Sequence, residues 1–168
     1  AVTGKDLPEL MQEHLWSQIG AEDDAVYLTD GYNVAFALGG LNMRTRDYAR
    51  FGQMMMDFGR YNQRMIVPAG WVIDSTMAKA PAPANPNDKA GYGYQWWIPI
   101  NADDEFYAIG VYGQYIYVNR KARIVVVKTS AHPDFDNDGT GGYKTEAESI
   151  EVFRAIAASM TTWKPKLN

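Results

Sequence analysis

Cysteine is absent from the 168-residue chain. Disulfides, thiolate nucleophiles and cysteine-based zinc sites are excluded together, and the compartment stays open, because a chain without cysteine suits cytoplasm and periplasm alike. Histidine is nearly absent as well: His14 and His132 are the only two, too few for a histidine-rich metal centre, so neither a metal nor a cofactor is expected. Positive charge is not in excess. The 16 Lys and Arg against 20 Asp and Glu leave a net charge of −4, and no basic stripe stands ready to neutralise a run of phosphates, which argues against nucleic acid as a partner. No apolar run approaches the roughly 18–20 residues that cross a bilayer, and the opening Ala1-Val2-Thr3-Gly4-Lys5 lacks the basic-then-apolar layout of a signal peptide, so no membrane partner is expected either. An initiator methionine is missing, and the chain reads as a processed product or a fragment. Its length and its 46% hydrophobic content suffice for one domain with a core and fall short of two.

What is present divides into a helical part, about residues 1–79, and a strand-rich part, about 91–168. Asp6-Leu7-Pro8-Glu9 sets a capping residue, a first-turn proline and an acid three positions after the cap. That pattern predicts a helix from Leu7 to about Ser17, with Leu7, Leu10, Met11 and Leu15 as its buried stripe. Gly31 and Gly39-Gly40 mark a loop. Thr45 then caps a second helix, Arg46 to about Phe58, in which Tyr48, Phe51, Met55 and Phe58 recur at helical spacing and Gly59 marks the end. Met54-Met55-Met56 reads as core filler, since three consecutive helical positions point in three directions and do not converge on a metal. Pro68 opens a short helix through about Met77, and the prolines at 81, 83 and 86 make 80–88 an extended surface loop. Beyond it Tyr92, Tyr94, Trp96 and Ile98 alternate as one strand; Glu105–Ile109, Gln114–Val118 and Ile124–Lys128 follow across tight turns, an antiparallel meander. The unbroken Ile124-Val125-Val126-Val127 predicts a strand covered on both faces. Thr145 with Glu148 begins a last helix carrying Ile150, Phe153, Ala157 and Met160.

Several short constellations could carry chemistry. Ser130, His132 and Asp134 alternate at a strand end, but alternate strand residues lie about 6.6 Å apart, too far for a nucleophile and base that must meet at about 3 Å. Asp134, Asp136, Asp138 and Gly139 copy the first half of a calcium loop, yet Thr145 occupies the position of the closing bidentate glutamate. The plain alternative is an acidic turn before the last helix. Gly139-Thr140-Gly141-Gly142-Tyr143-Lys144-Thr145 departs from a phosphate loop because Tyr143 separates glycine from lysine.

Read together, Gly39-Gly40-Leu41-Asn42, Thr45-Arg46-Asp47-Tyr48-Ala49-Arg50-Phe51-Gly52, Ile66-Val67-Pro68, Gly91-Tyr92-Gly93-Tyr94-Gln95-Trp96-Trp97 and Gly110-Val111-Tyr112-Gly113-Gln114 resemble, in this order, the serine β-lactamase and penicillin-binding-protein superfamily. The branch they resemble most is that of class C-like esterases and 6-aminohexanoate-dimer hydrolases. The resemblance implies an α+β fold: the C-terminal portion of the serine β-lactamase-like fold as a single unit over 1–168, an antiparallel sheet with first and last helices on one face and the Arg46–Phe58 helix in an all-helical lobe. It implies a bacterial serine hydrolase that cleaves a small-molecule amide or ester through an acyl-enzyme. The family's Ser-x-x-Lys is not found: no serine here has a lysine three positions on, and Ser75 has Lys79 at four. The family's tyrosine is absent too, so the chain resembles a C-terminal half that is inactive alone and whose partner is the missing N-terminal half. By the same resemblance Ala108-Ile109-Gly110-Val111 matches the pocket strand, with the Val111 backbone N–H after Gly110 as oxyanion donor and Asn42, Tyr112 and Gln114 as substrate-binding neighbours. An apolar residue replaces the family's lysine or histidine there, and Lys128-Thr129-Ser130, which looks like that third motif, falls on the following strand. The lesser alternative is that Gly110 and Gly113 are simply hairpin glycines. The reading from another class is a non-catalytic module that binds calcium through Asp134, Asp136 and Asp138 or serves interaction alone.

Overall fold

The computed structural model describes residues 3–79, 90–100, 102–135 and 143–162, with Tyr143 and Thr162 as backbone only. Its first element is fixed locally. The Glu9 amide donates to the Asp6 carboxylate at 2.8 Å and the Asp6 amide donates to the Glu9 carboxylate at 3.0 Å, a reciprocal cap for amides that a helix start leaves bare. From it α1 (Leu7–Met11) runs into a π-helical turn, Gln12–Trp16. The wider turn displaces the inward face by an extra residue. The expected stripe of Leu7, Leu10, Met11 and Leu15 is therefore only half-buried, and the residues that reach the core are Trp16 and Ile19.

Where the sequence suggests a loop, β1 (Val26–Tyr27) and β2 (Leu41–Asn42) pair as an antiparallel ribbon. Next comes α2 (Thr45–Met56), with Arg44 rather than Thr45 at its N-cap and no side-chain capping bond. The helix stops where Phe58 and Gly59 take left-handed φ values of 54° and 85°, and the Gly59 amide returns to the Met54 carbonyl at 2.8 Å. Any Cβ at Gly59 would stand 1.9 Å from the Val67 carbonyl oxygen. A small hairpin, β3 (Arg60–Tyr61) with β4 (Arg64–Met65), leads to α3 (Ala69–Ser75), the short helix expected after Pro68. Met54, Met55 and Met56 are all buried in the core, as the filler reading requires.

The second half is the predicted meander: β5 (Ala90–Tyr92), β6 (Trp97–Pro99), β7 (Glu105–Gly110), β8 (Gln114–Asn119) and β9 (Ile124–Lys128) lie side by side in chain order, all antiparallel. One element differs. Tyr92, Tyr94, Trp96 and Ile98 do not share a strand, because the chain reverses between β5 and β6. The Gly93 amide donates to the Trp96 carbonyl at 2.8 Å, and a Cβ on Gly93 would fall 2.1 Å from the Ser75 carbonyl oxygen. Those alternating aromatics mark a hairpin pressed against the end of α3. The expected loop at 80–88 lies outside the described residues.

Helices cover the sheet on both faces. Phe106, Val118, Ile116 and Val125 share one apolar cluster with Trp16, Ile19 and the α2 methionines. Tyr107, Tyr115, Tyr117 and Val126 share the other with Ile150 and Phe153 of α4 (Tyr143–Thr162). The chain's first and last helices thus contribute to opposite faces, and α2 lies directly on the sheet rather than in a separate lobe. Gly52 explains how closely it lies: a Cβ there would meet Val125 Cγ1 at 2.6 Å and Ile116 Cγ2 at 3.0 Å. Met160, expected in the stripe of α4, is exposed. At the far end of α2 the Arg120 guanidinium sits between the Phe58 and Phe106 rings, 4.6 and 4.4 Å from their centroids. It donates to the Met55 carbonyl at 3.3 Å, to the Thr76 hydroxyl at 3.1 Å and to Asp104 at 3.3 Å.

Candidate functional site

Three residues, Val111, Tyr112 and Gly113, close the β7–β8 hairpin beyond its last rung, Gly110 opposite Gln114. Tyr112 and Gly113 both have left-handed backbones, φ 62° and 80°. A tyrosine held there is strained, and only surrounding structure keeps such a residue in place. That structure comes from the chain beyond β9. The Gln114 side-chain amide donates to the Ser130 carbonyl and accepts from the Ser130 amide at 3.0 Å, so a side chain reproduces the two-bond rung of a strand pair. Two residues on, the His132 amide donates to the Tyr112 carbonyl at 3.2 Å. The turn is fastened at its tip and at its base, and Val111 stands outward, 63% exposed. Gly110 permits the closure, since a Cβ there would already lie 3.1 Å from Gln114 Cβ.

The α2 N-terminus reaches the same end of the sheet through Thr45, whose hydroxyl lies 3.3 Å from that of Thr129. Asn42, three residues earlier, is exposed, and its side-chain amide donates to the Gly40 carbonyl at 2.9 Å. Of the residues singled out from sequence, Gly110, Val111, Tyr112 and Gln114 are gathered in one turn; Asn42 sits at the ribbon root and bonds locally. The Gln114 amide is engaged by Ser130, which makes it a support of the turn. Sequence reasoning missed that partnership and the part of His132. Both residues had drawn attention for side-chain chemistry, whereas their backbones are what the turn uses.

Other constellations resolve differently. Among the bonds of the described residues, Ser130 and His132 do not pair; the Asp134 amide donates to His132 Nδ1 at 3.3 Å. Lys128 lies between the turn and the α4 face: its Nζ is 3.3 Å from the Ser149 hydroxyl and 5.3 Å from the Tyr115 ring centroid, and a Cβ on Gly113 would stand 3.6 Å from it. Asp134 is exposed, while Asp136, Asp138, Gly139 and the glycines up to 142 lie outside the described residues. Among those that are described, no three carboxylates or histidines could hold a metal ion together, and no helix is long and apolar enough to cross a membrane.

A hollow of about 410 Å³ runs along α2, lined by Arg46, Ala49, Arg50, Gln53, Met56, Tyr61 and Val125, and touches none of the turn residues. Its Arg50 is already committed, to Glu22 at 2.6 Å and to buried Asp47 at 2.7 Å. The hydrogen bond from Arg50 holds Glu22 below the usual carboxylate range.

A family model for β-lactamases matches residues 1–148. Over 164 residues the chain is 31% identical to a 6-aminohexanoate-dimer hydrolase of Paenarthrobacter ureafaciens, covering 94% of this chain and 41% of that protein. A solved structure from Bacillus anthracis named for 6-aminohexanoate-dimer hydrolase superposes with a TM-score of 0.82 at 33% identity, over 98% of this chain and 41% of its own. A second, from Bacteroides dorei and named for β-lactamase, superposes with a TM-score of 0.64 at 23% identity over 90% of this chain and 52% of its own, a likeness of fold. The chain thus spans about two fifths of the length of these two hydrolases, 41% of each.

Proposed function

The chain belongs to the β-lactamase family, and from that premise we propose that it supplies the oxyanion-binding strand end of a serine hydrolase acting on an amide or ester. The carbonyl oxygen of such a substrate gains negative charge as the serine attacks, and a backbone N–H already aimed at it lowers the barrier without reorganising. Val111 N–H is that donor in this reading. The observation that carries it is the fastening of the turn: Gln114 grips the Ser130 backbone at both polar atoms and the His132 amide grips the Tyr112 carbonyl, so the turn that begins at Val111 is held at its tip and its base. Two residues before Gly110, where the Lys-Thr-Gly signature places its cation, stands apolar Ala108, which disfavours recognition of a β-lactam carboxylate by that position. The relatives' name makes short linear amides the first class to try. Tyr112 and Asn42 would flank the substrate.

The attacking serine and its lysine and tyrosine lie in a portion of the hydrolase other than these residues, so the 168-residue chain by itself neither hydrolyses an activated ester nor reacts with a fluorophosphonate. In the full-length product, Val111→Pro removes the N–H and lowers turnover by about 10²–10³, with KM nearly constant. Val111→Ala keeps the N–H and most of the turnover. A folded Val111→Pro protein with parental turnover, or an alanine variant equally impaired, refutes the assignment.

A further inference from the structure

The ribbon begun by β1 and β2 extends well past its named strands. The Leu28 amide donates to the Gly40 carbonyl at 2.9 Å, the Phe36 amide to the Leu28 carbonyl at 2.9 Å and the Asp30 amide to the Val34 carbonyl at 3.0 Å, while Thr29 bridges Ala35. Side chains alternate between the faces of such a ribbon. Ala25 and Met43 pack on the core, and Tyr27 and Ala35 are half-buried. The opposite face carries Val26, Leu28, Val34 and Phe36, which are 61, 60, 60 and 52% exposed. Single exposed apolar residues need no explanation, but four side by side on one face form a patch of the kind that marks an interface. A two-stranded ribbon is also marginal without something packed on it.

Charge and position narrow the occupant. No lysine or arginine occurs from Asp6 to Met43, and Glu22, Asp23, Asp24 and Asp30 are acidic, which disfavours an anionic lipid surface. The ribbon's root is tied to the candidate site: the Leu41 carbonyl accepts from the Tyr48 hydroxyl of α2 at 2.7 Å, and α2 touches Thr129 beside the clamped Ser130. More than half the length of the matched hydrolases lies outside the region aligned with this chain. We propose that the Val26-Leu28-Val34-Phe36 face is the seat of the nucleophile-bearing portion of the hydrolase, and that docking there brings its serine against the Val111 turn. The inference rests on the function proposed above and names the surface that assembles that site.

Hydroxyl-radical footprinting tests it, with the 168-residue chain compared against the same residues inside the full-length product of its gene. Leu28, Val34 and Phe36 are expected to lose reactivity several-fold in the longer protein, and Phe36→Asp there is expected to lower turnover while Phe36→Leu restores it. Fluorophosphonate labelling is read in parallel. Labelling with an unchanged footprint overturns the docking surface and leaves the proposed function standing; a protected footprint without labelling removes the serine-hydrolase reading and leaves the surface. A dimer of the isolated chain with these residues protected, measured by sedimentation, assigns the face to a second copy and overturns the proposal. A gene that encodes these 168 residues alone overturns both.

Discussion

The two faces of the meander are held by different physics. Under α2 the contact is apolar and set by shape: the missing side chain of Gly52 lets the helix settle onto Val125 and Ile116. Under α4 it is aromatic and set by hydrogen bonds. Buried Glu105 accepts from Arg154 Nε at 2.9 Å, from Arg154 Nη2 and from the Tyr117 hydroxyl, the Tyr107 hydroxyl donates to Glu146, and Lys128 reaches Ser149. Shape fixes how near a helix comes, whereas directed polar contacts fix its position along the strands. The first face should fail when something is added, and the second when a partner is taken away.

The sharpest way to break that contrast is Arg154→Met. The substitution keeps the apolar stem but strands Glu105, whose side chain is 3% exposed, and leaving a buried charge unpaired costs about 3–5 kcal/mol. Urea denaturation should show a clearly lowered midpoint. Glu105→Gln should cost less, because Arg154 is one-third exposed and can turn to water. Equal losses in the two variants would mean that the pair is not what anchors α4.

Alkali addresses the same face without mutation. Burial pushes the Tyr115 hydroxyl up to about 12 from an ordinary 10.0, and burial followed by their carboxylate partners pushes Tyr107 and Tyr117 higher still. The folded state favours the neutral phenols, so their contribution is whole below pH 10, the ordinary value, and drains away as pH climbs toward 12. For a single phenol raised from 10.0 to about 12 the loss is of order 2–3 kcal/mol at 1.36 kcal/mol per pH unit. Tyrosinate absorbance should rise in two stages, the exposed rings first and the buried ones together with unfolding. A single smooth titration in a protein that stays folded would contradict it.

On the opposite face Gly52→Ala should destabilise by up to about 2 kcal/mol. Alanine favours a helix by about 1 kcal/mol over glycine, but the new methyl intrudes on stiff, β-branched Val125, and overpacking costs about 1–3 kcal/mol. Calorimetry should find a melting point lower by a few degrees. The double variant Gly52→Ala/Val125→Ala should recover part of it, and failure to recover any would place the strain elsewhere.

How much of this is legible before folding depends on the range of the contacts. The cap at Asp6 is written in four consecutive residues, and β7, β8 and β9 announce themselves by alternation and turns. Two-residue strands such as β1 and β3 have no period to detect. The inward face of the first helix escapes prediction because a π-turn leaves no trace in helical spacing, and nothing in the stripe of α4 says which side of the sheet it will cover. At the candidate site, Gly110 and Val111 draw notice through resemblance alone. Gln114 reads as a polar strand residue, and its partner stands 16 residues away.

Arg120 joins parts of the chain that are far apart: the Met55 carbonyl is 65 residues away and the Thr76 hydroxyl 44. Neighbouring strands of a meander can pair early, because the loops they close are short. The guanidinium can enter its sandwich only after α2, α3 and the finished hairpin have all met, so its bonds belong to the last step of assembly. Interactions that form after the transition state govern how fast a fold opens and leave its speed of formation almost untouched. On that argument Arg120 acts on the lifetime of the folded chain, as a latch expected to close late and to hold back opening.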